Sequence, residues 1–268
     1  MMGLDSASWT GLDVTPAATS AGLRFGDRGT QSSRTIMLAE LADVLAAVPA
    51  SASCADYTSA IVQDNAVGKS TVSNRRLTYR RLHELYGLDP ALPIFRVLRR
   101  LWDVDVPSRP LLALLCALGR DPLLRLTAPT VLALRPGEEL VRSTLLAALG
   151  EGAGERFKAT ILDKVARNAA SSWTQSGHLA GRMRKRRVLV EPRPGAVAFA
   201  LWLGSANGRS GADLLTAPWV QIFDCGQDTL VGAVLKAKQL RLLDARISGN
   251  IVEINAVGVD PGMGALGR

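Results

Sequence analysis

The chain of 268 residues is 47 % hydrophobic and 5 % aromatic and carries a formal net charge of +8. This length suits one large domain or two smaller ones, and the charge favours a polyanionic partner. The three cysteines are far apart and form no C-x-x-C pair, which argues against a disulfide framework and a zinc site. No apolar run reaches the ~20 residues that span a bilayer, so we expect a cytoplasmic protein that does not enter the membrane.

Residues 1–34 are rich in Gly, Ser, Thr and Pro without a hydrophobic period, which predicts a flexible leader. Beyond them, apolar residues recur at three- and four-residue spacing in segments that are bounded by Pro, Gly or Asp. These segments and their short connections predict a helical domain over residues 35–152. The expected fold class is therefore mainly α, a helical bundle followed by a part with short strands.

The segment "NAVGKSTVSNRRLTYRRL" (65–82) admits two interpretations. Its "GKST" matches the end of a phosphate-binding loop, but such a loop needs a glycine where Gln63 stands and a buried strand before it. The alternative is a helix-turn-helix-like unit, with helices over about 56–65 and 70–86 and Gly68 in the turn. We favour this second interpretation.

The second helix of this unit is strongly basic. Residues 65–83 hold five Lys and Arg residues and no carboxylate, whereas ordinary exposed helices mix both signs. A solvated basic helix without function remains the alternative. The side expected to pack inward carries Val72, Tyr79, Leu82 and Tyr86. The predicted DNA contacts in this segment are Lys69, Ser70, Thr71, Ser73, Asn74, Arg75, Arg76, Arg80 and Arg81.

We expect a second domain over residues 153–268, because the pattern changes there. A long helix ending at Gly177 is followed by a basic cluster and a short strand at "VLV" (188–190). Near the end, a helix over 229–241 precedes two strands, "DARIS" and "IVEIN", joined by a Gly249-Asn250 turn. Helix, strand, strand is the closing half of a winged helix, so a winged-helix-like α+β part is predicted.

A second basic segment lies between residues 164 and 190, where seven basic residues occur without an acidic one. Before a strand, such a cluster is able to grip a nucleic-acid backbone in the manner of a wing. An unpaired basic linker is an equally weighted alternative. The predicted DNA contacts in this segment are Lys164, Arg167, Arg182, Arg184, Lys185, Arg186 and Arg187.

Signals for catalysis are weak. The two histidines, His83 and His178, stand at no metal-ligand or triad spacing, and no nucleophile is paired with a base. The sequence therefore predicts no catalytic residue, no metal ligand and no cofactor.

The pattern "N-x-x-x-K-S-T-x-S-N-R-R", followed by "LHELYGLD" and "RPLLALLCALGRDPLLRL", resembles the BrxA family of bacterial BREX phage-defence systems. The later "DKVARNAASSWTQSGHLAG" resembles the same family, so that the resemblance covers about residues 36–195. It implies a small, largely helical, non-catalytic DNA-binding component of a defence locus. The tail over about 196–268 is longer than this family suggests. The positions that match the family's motif are Lys69, Ser70, Thr71, Arg75 and Arg76.

The leading hypothesis is a double-stranded-DNA-binding accessory protein of a BREX-like system, with other defence subunits as possible partners and an oligomer allowed. Two alternatives stay open: a winged-helix transcriptional regulator, and a scaffold that binds RNA or an acidic protein. A regulator would prefer one operator sequence, an accessory would bind duplexes with little preference, and a scaffold would bind no DNA at physiological salt.

Overall fold

A computed structural model describes residues 9, 12, 14–26, 29–154, 157–248, 251–260 and 262. Within these ranges the protein is mainly helical, as predicted, with two small antiparallel sheets of two strands each. In chain order, the helices with described bounds are α1 (Pro16–Ala21), α2 (Leu38–Ala47), α3 (Cys54–Val62), α4 (Val72–Tyr86), α5 (Pro93–Val104), α6 (Arg109–Arg120), α7 (Pro122–Arg125), α8 (Ala128–Leu132), α9 (Arg142–Ala153), α10 (Ala159–Gln175), α11 (Pro194–Ala206) and α12 (Gln227–Gln239). The strands are β1 (Leu179–Ala180), β2 (Arg186–Arg187), β3 (Asp244–Ser248) and β4 (Ile251–Asn255).

The centre of the core is formed by α6 and α11, which pack against each other and against α5. Both helices are rich in Leu and Ala on all sides, and a helix that is apolar all round is stable only when it is surrounded. Accordingly, residues 111–120 of α6 and 195–204 of α11 are buried. One continuous hydrophobic core therefore includes residues from both sides of the predicted domain boundary near residue 152.

The described part of residues 1–34 differs from the predicted flexible leader. It contains α1, which is capped by the Thr15 hydroxyl, and a 3₁₀ turn over Thr30–Ser32. Leu23 and Gln31 are buried, and the Gln31 backbone N–H donates to the carboxylate of buried Asp121 at 2.9 Å. Polar residues without a hydrophobic period are ordered here because core groups satisfy their hydrogen bonds. The remaining residues of this range lie outside the described part of the chain.

The predicted pair of helices around Gly68 is present as α3 and α4, which pack against each other. The turn between them contains Gly68 at a φ of +62°, in the left-handed region that glycine tolerates. A helix, α3, stands where a phosphate-binding loop would need a strand. Leu82 and Tyr86 are buried and Tyr79 is partly buried, as expected. Val72, which was expected to pack inward, is instead 45 % exposed at the first position of α4.

After α8, the chain forms two helices, α9 and α10, and a small hairpin. The helices α9 and α10 pack together, and α10 leads into the antiparallel pair β1–β2. On its other side, β2 bonds to residues 137–140: the Arg187 N–H donates to the Glu138 carbonyl and the Leu140 N–H donates to the Lys185 carbonyl. The predicted strand at residues 188–190 is therefore wrong in position: the observed strand, β2, is formed by the basic residues Arg186 and Arg187.

The C-terminal part contains the predicted helix and two strands. The helix α12 packs against α11, and β3 pairs with β4 from Asp244 opposite Asn255 to Ser248 opposite Ile251. The predicted Gly249-Asn250 turn lies outside the described residues. β4 contacts the 3₁₀ turn over Gly211–Thr216, which joins the hairpin to the rest of the fold.

Candidate nucleic-acid interface

The helix α10 presents one apolar and one polar face. Val165, Ala169 and Trp173 are buried, with spacings of four residues that keep them on one side. On another side, Lys164 and Arg167 are exposed. The predicted basic residues of α10 therefore face solvent while the helix is held by its apolar side.

Hydrogen bonds to distant parts of the chain fix α10 in place. Trp173 Nε1 donates to Thr127 Oγ1 at 2.8 Å, and Asn168 Nδ2 donates to the Gln31 carbonyl oxygen at 2.7 Å. Ser172 Oγ accepts from the Ile36 N–H at 3.0 Å. Because these partners lie 46 to 137 residues away along the chain, α10 is a rigid support for its exposed side chains.

The loop of the β1–β2 hairpin, residues 181–185, carries exposed basic side chains. Its tight path depends on Gly181 at a φ of +104°, where an added Cβ would lie 2.1 Å from the Arg184 carbonyl oxygen. Lys185 Nζ donates to Thr174 Oγ1 of α10 at 2.9 Å, and burial lowers the pKa of Lys185. Lys185 thereby holds the loop beside the C-terminal end of α10, with Arg182 and Arg184 in solvent.

Arg187 corrects the prediction for this segment, since its side chain is fully buried. Arg187 Nη2 donates to both carboxylate oxygens of Asp224 at 2.5 Å, and Nε donates to the Val131 carbonyl at 3.0 Å. With its guanidinium bonded inside the protein, Arg187 is not available to a DNA phosphate. It orders the base of the hairpin.

The remaining basic residues of this region differ in their partners. Arg167 Nε lies 3.4 Å from an Asp163 oxygen, and Asp163 also pairs with Arg142. Arg186 donates to the Gly137 carbonyl at 3.0 Å and lies 4.0 Å from Glu139. Three side chains, by contrast, are exposed and form no hydrogen bond or ion pair with another described residue: Lys164, Arg182 and Arg184.

On α4, two of the predicted contacts support the fold. Arg75 Nη1 donates to the Val62 and Gln63 carbonyl oxygens at 3.0 and 3.2 Å, which satisfies the C-terminal end of α3. Thr71 Oγ1 accepts from the Asn74 N–H at 3.2 Å and caps α4. Both residues therefore have structural partners within the protein; the sequence pattern allowed Thr71 as the residue that opens the helix but did not reveal the partners of Arg75.

Two further basic residues near α4 are paired with acids. Lys69 Nζ lies 3.0 Å from Glu40 Oε1, and Arg81 Nη1 lies 2.7 Å from Glu84 Oε2. Residues 65–83 contain no acid, but Glu40 of α2 and Glu84, in the last turn of α4 itself, supply the partners. The predicted residues that remain exposed, without a side-chain partner among the described residues, are Ser70, Ser73, Asn74, Arg76 and Arg80.

The helices that carry the two basic surfaces, α4 and α10, are both bonded to the chain segment that contains the Thr30–Ser32 turn. Thr30 Oγ1 donates to Glu84 Oε2 of α4 at 3.2 Å, while Asn168 of α10 donates to the next residue's carbonyl oxygen. Arg34 is exposed in this segment and was not predicted as a contact. In the sequence, Arg34 is a single positive charge between polar residues, and such a pattern is too common to predict a DNA contact.

The described residues give no support for a metal centre, because no three His, Cys, Asp or Glu side chains among them form a group that could hold an ion. His178 is buried, and both of its ring nitrogens are engaged, by Ser176 Oγ and the Ile222 carbonyl oxygen at 2.9 Å. Burial lowers the pKa of His178 to about 3, so the ring is neutral at pH 7. His178 is therefore a structural residue.

Each helix that the structure describes is too short or too polar to cross a lipid bilayer. Comparison of the chain with protein-family models, curated proteins and solved structures found no match. The resemblance to the BrxA family accordingly stays a prediction, and the function of the chain is inferred from its own geometry.

Proposed function

We propose that the protein is a non-catalytic, double-stranded-DNA-binding protein whose main contact is formed by α10 and the β1–β2 loop in a winged-helix arrangement. The order of elements supports this: α9, α10 and a hairpin follow one another, and the second strand of the hairpin pairs with residues 137–140. An α-helix about 10–12 Å across fits the ~12 Å major groove, with the hairpin beside it. The winged unit proposed here involves the second basic segment and precedes the C-terminal helix and two strands, for which the sequence predicted the closing half of a winged helix.

The observation that carries the proposal is the distribution of free charge. Nearby cations Arg142 and Arg187 are paired with acids, whereas Lys164, Arg182 and Arg184 are exposed without a described partner. Exposed cations that lack internal partners are free to displace the counterions of phosphates, which is the main source of affinity for duplex DNA. Lys164 lies on the exposed side of α10, and Arg182 and Arg184 lie in the loop beside the C-terminal end of this helix.

The exposed face of α4 supports a second contact with the same duplex. Arg76 and Arg80 are four residues apart on the helix and exposed, and Ser73 and Asn74 add neutral donors near its N-terminal end. We assign this surface to backbone contacts, with Asn74 as a candidate base reader.

The defence role is proposed on the resemblance alone. A BREX-like accessory protein would work in the cytoplasm beside other defence subunits. Deletion of the gene from its host, followed by phage plaque counts, tests this role separately from DNA binding.

A salt series by fluorescence anisotropy on random duplex tests DNA binding. In the variant Lys164→Gln/Arg182→Gln/Arg184→Gln, the log–log salt slope should flatten by roughly 2.7, at about 0.9 for each lost phosphate contact. The matched control removes three exposed charges elsewhere, in Arg209→Gln/Lys236→Gln/Lys238→Gln, and should leave the slope nearly unchanged. Equal slopes in all three proteins would reject the interface, and absence of binding at physiological salt would favour the scaffold alternative. Preference for one sequence would favour a regulator.

A further inference from the structure

The most exposed large apolar side chain in the described part of the protein is Met183, at 91 % exposure. It stands in the middle of the β1–β2 loop, between exposed Arg182 and Arg184. The free energy falls when a hydrophobic side chain leaves water. A single exposed hydrophobic side chain is nevertheless common on protein surfaces and does not by itself indicate a binding site. Its position at the tip of a basic hairpin distinguishes it.

The base of this hairpin is firmly held. Leu179 of β1 and Arg187 of β2 are opposite one another and both buried, and Lys185 is bonded to Thr174. The tip therefore projects from a fixed support, whereas the flexible Met183 side chain adapts to an irregular surface.

Resting on the DNA-binding function proposed above, we infer that the Arg182–Met183–Arg184 tip enters the minor groove and that Met183 is an apolar wedge against a base step. The tip adjoins the end of α10, and the groove next to an occupied major groove is the minor groove. At about 6 Å this groove excludes a helix but admits single side chains. Arginines favour its narrow A·T-rich form, and apolar side chains inserted between base pairs unstack and kink them.

A sequence preference follows from this geometry. Pyrimidine–purine steps such as TA are the easiest to unstack, so A·T-rich duplexes with such a step should bind more tightly than G·C-rich duplexes of equal length. This preference is set by deformability and groove width and requires no major-groove base contact.

The test compares the full-length protein with Met183→Ala on two duplexes of equal length, one with a central TA step that contains 2-aminopurine and one rich in G·C. We expect Met183→Ala to weaken binding to the TA duplex by roughly tenfold, the worth of one buried methionine, and to change binding to the G·C duplex much less. Wild type should raise the 2-aminopurine fluorescence through unstacking, and Met183→Ala should not. The control Val104→Ala removes another exposed apolar group and should behave as wild type.

The results of this experiment distinguish failure of the wedge from failure of the proposed DNA binding. If wild type binds both duplexes but Met183→Ala matches it in affinity and fluorescence, the wedge is rejected and DNA binding stands. If wild type binds neither duplex, the proposed function is rejected together with the wedge. Netropsin, which occupies A·T-rich minor grooves, should compete with wild type for the TA duplex, and failure to compete would contradict entry of the tip into the minor groove.

Discussion

Arg187 and Asp224 form a largely buried ion pair, in which Nη2 donates to both carboxylate oxygens, and this pair joins the base of the β1–β2 hairpin to the segment after the 3₁₀ turn over Pro218–Phe223. The same guanidinium donates to the carbonyl oxygens of Val131 and His178. One side chain thus connects the last turn of α8, the residue before β1 and the end of β2. The hairpin that carries the proposed DNA contacts is fixed from inside the protein.

Breaking this pair should be costly. Arg187→Ala leaves the largely buried Asp224 carboxylate without its partner, and we expect a loss of about 3–5 kcal/mol in the free energy of unfolding. Burial already raises the pKa of Asp224, and the Arg187 charge opposes that shift. Denaturant unfolding measures the effect, with the exposed neighbour Arg184→Ala as a control that should stay within about 0.5 kcal/mol. Similar losses in both variants would contradict the assignment of Arg187 to the interior.

Arg184 and Arg187 show a limit of prediction from sequence, since both were predicted to contact DNA but Arg187 is buried. Both belong to one basic run, and nothing local distinguishes the residue that binds Asp224, 37 residues further along. The apolar helices α6 and α11 were predictable because their composition requires burial on every side. The two-residue strands β1 and β2 were not, since strands so short leave no alternation to detect. The acids that pair with Lys69 and Arg142 come from other elements and were equally invisible.

Leu115 of α6 provides a test of the hydrophobic core. Its side chain is fully buried, as are those of Leu112 and Leu82. Leu115→Ala should lower the free energy of unfolding by roughly 2–5 kcal/mol, through lost contacts and a cavity. Leu240→Ala, at a half-exposed position after α12, is the control and should cost far less. Equal costs would mean that α6 is not central to the core.

Asp121 gives the protein a specific pH dependence. Its carboxylate accepts from the N–H groups of Gln31, Leu123 and Leu124, yet burial raises the pKa of Asp121 to about 6 from its usual 3.8. The folded protein therefore binds this proton more tightly than the unfolded chain. The resulting stability is fully present below pH 3.8 and is lost as pH rises through about 6.

The comparison of wild type with Asp121→Asn isolates this effect, because asparagine keeps an accepting oxygen without the charge. Between pH 3.5 and 7 the stability of wild type relative to the variant should fall by about 3 kcal/mol, since one pKa unit corresponds to about 1.36 kcal/mol. Thermal or denaturant unfolding across this range provides the values. Parallel pH profiles would show that the pKa of Asp121 is not raised.

The cysteines should differ in reactivity. Cys116 is fully buried in α6, and burial raises its pKa to about 12. Cys225 is half-buried, and burial together with the Asp224 carboxylate raises its pKa, whereas Cys54 lies at the start of α3 and is partly exposed. A disulfide reagent at pH 8 should modify Cys54 first and Cys225 more slowly, and should reach Cys116 only after unfolding. Rapid modification of Cys116 in the folded protein would contradict the packing of α6.

The two basic surfaces make independent predictions for DNA binding. If α4 and the α10–hairpin surface contact different stretches of one duplex, their effects on the salt slope should add. Arg76→Gln/Arg80→Gln should flatten the slope by roughly 1.8 on a duplex of about 30 base pairs and weaken binding across all sequences alike. Both side chains are exposed, so the fold should be retained, which circular dichroism and the unfolding midpoint verify.

Combination with Lys164→Gln/Arg182→Gln/Arg184→Gln decides whether the surfaces act together. The five-site variant should flatten the slope by the sum of the two sets, since no described hydrogen bond or ion pair links their side chains. A duplex that is too short cannot contact both surfaces at once. As the duplex is shortened, one set of substitutions should therefore stop changing the salt slope while the other set still changes it. If Arg76→Gln/Arg80→Gln leaves slope and affinity unchanged at every duplex length, α4 is a solvated basic helix and DNA binding belongs to α10 and the hairpin alone.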